Sequence, residues 1–226
     1  MIQILKNVGT KDMKITNMNR RNFLKTAATG LGSISVFPLL NGKESTHTPP
    51  HSNAVDWINC NIKRYDPVRG NVPLKLNDEQ INFIHYIELN DESLLLKYQQ
   101  RQSGYTTATA AYLLYRMIHD TNSNFSIICS NENQRGNVMD IISGMYNHLP
   151  NQMSVVKSYM RDRHTMDINS NRLSIKSINT NGKGFTSNLV FLQDYGFYQD
   201  KDTVIRSVQY TLAPGNSKIV GYSYIG

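Results

Sequence analysis

The amino-acid sequence predicts an α/β domain with a mostly parallel sheet flanked by helices, preceded by a flexible N-terminal arm. Short apolar runs at Leu94–Leu96 and Phe125–Ser130 are each followed by a longer segment of helical spacing. That alternation predicts parallel strands joined by right-handed crossovers. A third, nearly continuous apolar run at Leu189–Leu192 ends in Gln193 and Asp194, which puts a carboxylate at the carboxyl edge of the sheet.

Residues 1–53 read as a basic arm and linker. Up to His51 the arm carries Lys6, Lys11, Lys14, Arg20, Arg21, Lys25 and Lys43 against Asp12 and Glu44, a net +5 of the chain's formal +7. The globular part is therefore close to neutral, and its composition predicts a mixed, solvated surface rather than a basic nucleic-acid face. Asn19-Arg20-Arg21-Asn22-Phe23-Leu24-Lys25, followed by a mildly apolar stretch, resembles a twin-arginine export signal for which Met18 would be a natural start. Export is one alternative it raises. From Lys43 to Asn53 the Ser, Thr, His, Pro and Asn residues make a linker. His47 and His51 are separated by Pro49 and Pro50, so they cannot share a helical face as metal ligands.

The length of 226 residues suits one sizeable α/β domain, residues 54–226, plus that tail. Cys60 and Cys129 are too few and too far apart for a disulfide framework or a zinc site, and read as reduced, partly buried thiols. No apolar run is long enough to cross a membrane as a helix.

Within the domain, Trp57, Ile58 and Ile62 have the spacing of a short amphipathic helix. Tyr65 to Leu74, punctuated by Pro67 and Pro73, reads as an extended approach to a helix opened by Asp78-Glu79-Gln80-Ile81. After the strand at Leu94–Leu96 comes a polar turn and a helix carrying Ala110, Ala111, Leu113 and Leu114. The strand at Phe125–Ser130 precedes a helix with Val138, Ile141, Ile142, Met145 and Leu149 on one face. Met160 to His164 reads as a solvated basic turn. Arg172 to Ile178 alternates as a strand half exposed on one face, and Ser217 to Gly226 as a last strand.

The strand, turn and helix at Leu94–Leu114 are the setting of a phosphate-binding loop. There, backbone N–H groups and the helix N-terminus face phosphates, a Lys reaches the β/γ-phosphates and a Ser/Thr hydroxyl holds Mg²⁺. Gly104, Thr106 and Thr107 are in place; Tyr105 stands where the Lys would be, and Gln99 where the first Gly would be. The run Arg101-Gln102-Ser103-Gly104-Tyr105-Thr106-Thr107 with its Ala-rich helix resembles the phosphate loop of tailed-phage terminase large subunits, whose loops commonly read RQxGK[ST]T.

The resemblance extends through the ordered segments from Val55 to Gly226. It implies a P-loop NTPase-like ATPase domain with degenerate Walker A and Walker B motifs, using ATP and Mg²⁺. Gln80 is implied as the residue reading the adenine edge, and Arg101 to Thr107 as the nucleotide cradle, with Arg101 and Lys97 the cations nearest to replace the missing Lys. Asp194 is implied as the catalytic base or, together with Thr106, the metal ligand, although Gln193 occupies one place of the family's acidic pair. Ser223 matches the coupling motif. Double-stranded DNA, a portal, a small terminase subunit and a homo-oligomeric ring are the implied partners, in the cytoplasm of an infected host cell, and no nuclease domain is expected. Loss of two charged positions predicts impaired hydrolysis, and a non-catalytic nucleotide- or DNA-binding assembly subunit is the alternative in a different class.

Overall fold

A computed structural model describes residues 54–100, 102–150, 158–162, 164–178 and 186–224, all within one unit, His47–Gly226. The arm with its twin-arginine-like motif, Arg101, Arg163, Ile225 and Gly226 lie outside the described residues. Helix α1 (Ala54–Asn61) buries Ala54 and Ile58, and its Trp57 ring meets Tyr115 and His119 at 5.5 and 5.1 Å between centroids. The segment expected to be simply extended is instead an antiparallel hairpin, β1 (Lys63–Asp66) with β2 (Gly70–Pro73). Asp66 makes the turn: its Oδ1 accepts the N–H groups of Val68 and Arg69, each at 2.9 Å, and Gly70 supplies the positive φ of 72° that closes it.

Helix α2 (Asp78–Leu89) begins with a capping box, in which Asn77 Oδ1 accepts Gln80 N–H and Gln80 Oε1 accepts Asn77 N–H. Strand β3 (Leu94–Gln99), helix α3 (Tyr105–His119), strand β4 (Asn124–Cys129) and helix α4 (Glu132–Asn147) follow as the periodicity predicts. Small residues Ala108, Ala110 and Ala111 let α3 lie buried on nearly every side among α1, α2, α4 and the sheet. Its end is fixed from a distance: Asn171 Nδ2 donates to the carbonyls of Met117 (2.9 Å) and Asp120 (2.6 Å), two of the acceptors a helix C-terminus leaves open.

The sheet has seven strands in the order β3-β9-β8-β4-β7-β6-β5, with β5 (Ser158–Asp162), β6 (Thr165–Ile168), β7 (Asn171–Ser177), β8 (Leu189–Gln193) and β9 (Lys218–Tyr224). The first five strands pair in parallel, and β6 and β5 extend the edge antiparallel. One expectation changes here. Met160–Asp162 is edge strand rather than solvated turn, because it pairs with β6. Strand β7 alternates as expected: Leu173 and Ile175 enter the core shared with α3 and α4, and the opposite face leaves Arg172 and Lys176 part-exposed on either side of buried Ser174.

Successive residues of β8 feed two cores. Leu189 and Phe191 pack with α1–α4, while Val190 and Leu192 pack with Tyr195, Tyr198 and helix α5 (Lys201–Gln209). Helix α5 is short and mostly polar, and the sequence reading passed over it. Cys129 is buried as expected in part, whereas Cys60 is exposed. Among the described residues no helix is long and apolar enough to cross a membrane.

One carboxylate carries a pH prediction. Glu88, in the last turn of α2, has its Oε1 buried near Arg116 and Lys218 without a hydrogen-bond partner among the described residues. Burial pushes its pKa from 4.5 up to about 7 despite those cations. A carboxyl with a raised folded pKa makes folding less favourable as pH rises from its unfolded value to its folded one. Thermal stability should therefore decline between about pH 4.5 and 7, and Glu88→Gln should flatten that decline in melting curves recorded across the range. An unchanged slope would remove Glu88 as its source.

Candidate functional site

The loop between β3 and α3 is shaped by two left-handed residues, Gln102 (φ 70°) and Gly104 (φ 76°), which reverse the chain into the helix. Gly104 is the N-cap and has no side chain to cap with; the first helical bond runs from Ala108 N–H to the Gly104 carbonyl at 3.0 Å. The amides of Tyr105, Thr106 and Thr107 precede that bond, the arrangement in which a helix N-terminus attracts an anion. Ser103 is buried and its hydroxyl donates to Gln99 Oε1 at the end of β3, tying the loop to its strand.

Gln80 holds the loop from the opposite side. Its Nε2 donates to the carbonyls of Ser103 (3.1 Å) and Gly104 (3.2 Å), while its Oε1 serves the cap of α2. A Cβ on residue 104 would run into that amide. Tyr105 turns away from the loop: it is 4% exposed, its ring stacks on Phe83 at 4.3 Å, and it meets Tyr222 edge-on at 6.2 Å. Lys97 lies over the Tyr86 ring, 5.4 Å from its centroid.

Strand β9 sits between β3 and β8, so the loop and the end of β8 face each other across one intervening strand. Gln193 spans the gap, with its Nε2 donating to Thr106 Oγ1 at 3.4 Å and its Oε1 accepting from the Cys129 thiol at 3.5 Å. Burial pushes that thiol up to about 12, so it stays protonated and acts as a donor. Beneath them the Tyr222 hydroxyl lies beside the hydroxyls of Thr106 and Thr109, its ionisation opposed by complete burial.

Asp194 follows in a left-handed conformation (φ 55°) and is 6% exposed. Its Oδ2 accepts from Gln134 Nε2 at 2.6 Å; its Oδ1 is buried with no partner among the described residues. Burial raises its pKa, and the bond from Gln134 partly opposes that rise. Gln134 is itself held by the end of β4, its Oε1 accepting from the Ser130 hydroxyl (2.7 Å) and the Ser130 N–H (3.2 Å). Ser223, near the end of β9, is 1% exposed, and its hydroxyl has no partner among the described residues and faces Gly196 in the turn after Asp194, where a Cβ would meet it. Gln80, Ser103 and Gly104 are thus in direct contact, Thr106 joins Gln193, and Ser223 touches the Asp194 turn.

Sequence reasoning missed Gln134. The signal was present: Asn131-x-x-Gln134 repeats Asn77-x-x-Gln80, an N-cap Asn whose Oδ1 accepts the N–H of a Gln on the first turn. In both copies the Gln side chain reaches out of its helix to the site.

No family model and no curated protein matches the sequence. Solved structures do. The bacteriophage HK97 large terminase superposes with a TM-score of 0.61 at 16% identity, over 77% of this chain and 37% of that one. The ATPase domain of the Thermus phage P74-26 large terminase superposes at 0.50 and 14% identity, over 71% and 69%. The fold is that of a phage large-terminase ATPase domain. In this terminase-type fold the chain spans little more than a third of the HK97 protein's length.

Proposed function

We propose that this chain is an ATP-binding motor domain of viral DNA packaging, with nucleotide held by Arg101 to Thr107 and Asp194 facing the terminal phosphate. The observation that carries this is the juxtaposition of an uncapped helix N-terminus at Gly104 with a buried carboxylate whose Oδ1 has no partner among the described residues, bridged by Gln193 and Thr106. Mg²⁺, which the fold implies, suits an orphaned carboxylate oxygen and a Thr hydroxyl, a hard-oxygen set to be completed by phosphate and water. Thr106 and Asp194 would hold it, and it would supply charge neutralisation at the phosphates. Gln134 keeps the Asp194 carboxylate aimed, Gln80 keeps the loop carbonyls turned away from the phosphate side, and Ser223 links the end of β9 to the turn after Asp194. Double-stranded DNA, a portal, a small terminase subunit, further copies of the chain and the host cytoplasm belong to the same proposal by the role of terminases.

Tyr105 favours a second proposal, a subunit that binds nucleotide without turnover. The side chain in the place of the phosphate-binding Lys is built into the aromatic core, and loss of such a charge-stabilising group costs several kcal/mol of transition-state stabilisation.

The test is Mg²⁺-ATP binding and turnover by the full chain beside Tyr105→Lys. Removing the Tyr105 ring from its stack on Phe83 should cost about 3 kcal/mol of stability, within the range for deleting a buried aromatic. A Lys able to leave the core should raise turnover above the parent's. Binding without turnover in both proteins would select the assembly subunit; no binding in either would overturn nucleotide recognition.

A further inference from the structure

The positive charge of the folded part sits on one small element. Residues 52–226 carry a net +2, the chain's +7 less the +5 up to His51, and hairpin β1–β2 alone carries +2, from Lys63, Arg64 and Arg69 against Asp66. The remainder of the domain is therefore neutral. All three cations are exposed, and none has an ion-pair or hydrogen-bond partner for its side chain among the described residues. The one acid is committed to the turn, its Oδ1 accepting the N–H groups of Val68 and Arg69.

The hairpin is also held out rigidly. It forms a two-stranded sheet separate from the seven-stranded one. Its stem is fastened at two points: Leu74 N–H donates to the Ile62 carbonyl at 2.9 Å, and Asn71 Nδ2 donates to His148 Nε2, next to α4, at 2.7 Å. Beyond those ties Tyr65 is 72% exposed and Val68, at the tip, 92%. Pro67 and the Asp66 bonds fix the tip, so little freedom is lost when it meets a partner.

We infer that hairpin β1–β2 is a contact for the phosphate backbone of duplex DNA, made without regard to base sequence; the inference rests on the packaging role proposed above. Lys and Arg side chains that neutralise phosphates release the counterions condensed on the duplex, and free, exposed cations are what that exchange requires. The major groove admits a two-stranded ribbon. At a rise of roughly 3.3 Å per residue, Lys63 at the stem and Arg69 at the tip lie on the order of 10 Å apart along the ribbon, comparable with the groove's width of about 12 Å. They can therefore meet phosphates on both of its sides, and the Tyr65 hydroxyl adds an uncharged phosphate donor. An acidic protein fits less well. Strands of four residues offer far less than the ~800 Å² per partner of a stable protein interface, and most of what they expose is charged rather than apolar.

Duplex binding by the full chain should be measured across salt concentrations for the parent, Arg64→Ala/Arg69→Ala, Arg64→Lys/Arg69→Lys and a control pair on α5, Lys201→Ala/Arg206→Ala. The charge of residues 1–51 is common to all four proteins and cancels in the comparison. The slope of log affinity against log salt should become shallower by about 1.8 in the hairpin alanine pair, about 0.9 per lost phosphate contact, and keep the parent's value in the lysine pair and the control. Duplexes of different sequence should give the same slopes. A parental slope in the hairpin alanine pair would overturn the assignment, as would an equal loss in the control pair, or poly-glutamate bound as tightly as the duplex. Mg²⁺-ATP titration of the parent keeps the two readings apart: absence of ATP binding alongside the expected slopes would overturn nucleotide recognition and leave the hairpin contact in place.

Discussion

Asp194→Asn should abolish ATP turnover while leaving the chain folded and, at neutral pH, more stable than the parent. Asn tolerates the left-handed backbone that Asp194 occupies (φ 55°), and its side-chain oxygen can still accept the Gln134 amide, so the turn after β8 is kept. What changes is the charge. The carboxylate is buried, one of its oxygens has no partner among the described residues, and burial raises its pKa above the ordinary 3.8. The ionised form is therefore disfavoured in the fold, a penalty absent below the unfolded pKa and complete once the folded group has ionised. Removing it should raise Tm at pH 7. Loss of a group that stabilises developing charge costs about 100-fold or more in rate. Parallel melting and turnover assays of parent and variant check both halves. Reduced stability together with unchanged turnover would make Asp194 a structural residue and remove it from the site.

Gly104→Val should destabilise the domain by several kcal/mol and eliminate nucleotide binding with it. The backbone there is left-handed (φ 76°), a region costing roughly 1–2 kcal/mol for an ordinary side chain and more for a β-branched one. The new Cβ would also collide with the Gln80 amide, breaking its bonds to the loop carbonyls of Ser103 and Gly104. Denaturant unfolding measures the first effect and nucleotide titration under native conditions the second. Gln80→Ala in the same background should recover part of the lost stability by removing the obstructing amide. If Gly104→Val alone unfolds at the parent's midpoint, the loop is not held as described.

The five parallel strands, the loop and the chief helices were legible because their signals are local. Apolar runs at Leu94–Leu96, Phe125–Ser130 and Leu189–Leu192 need only their own neighbours to be recognised, and Gly104 between a strand and a helix announces a turn. The hairpin was read as an extended approach because its turn depends on one Asp66 oxygen capturing two amides, a choice that composition does not reveal. Strand β7 was legible from its alternation, with Leu173 and Ile175 in the core and Arg172 and Lys176 part-exposed on the other face. The polar segment Lys201–Gln209 becomes a helix by laying Val204, Ile205 and Val208 on the second core.

The sequence by itself determined the α/β class, the order of the parallel strands and of the helices α1 to α4, and the identity of the residues at the loop and at the end of β8. Only the tertiary structure decided how they work together. It placed β9 between β3 and β8, brought Gln193 to Thr106 across 87 residues of chain, fastened Gln134 to Asp194, and turned Tyr105 into the core. It also left Lys63, Arg64 and Arg69 exposed together on the hairpin. The physical reason is range: periodicity and turn chemistry act over a few residues, whereas a side-chain amide selects its partner, and a carboxylate its degree of burial, only after the sheet has brought distant segments within about 3 Å of one another.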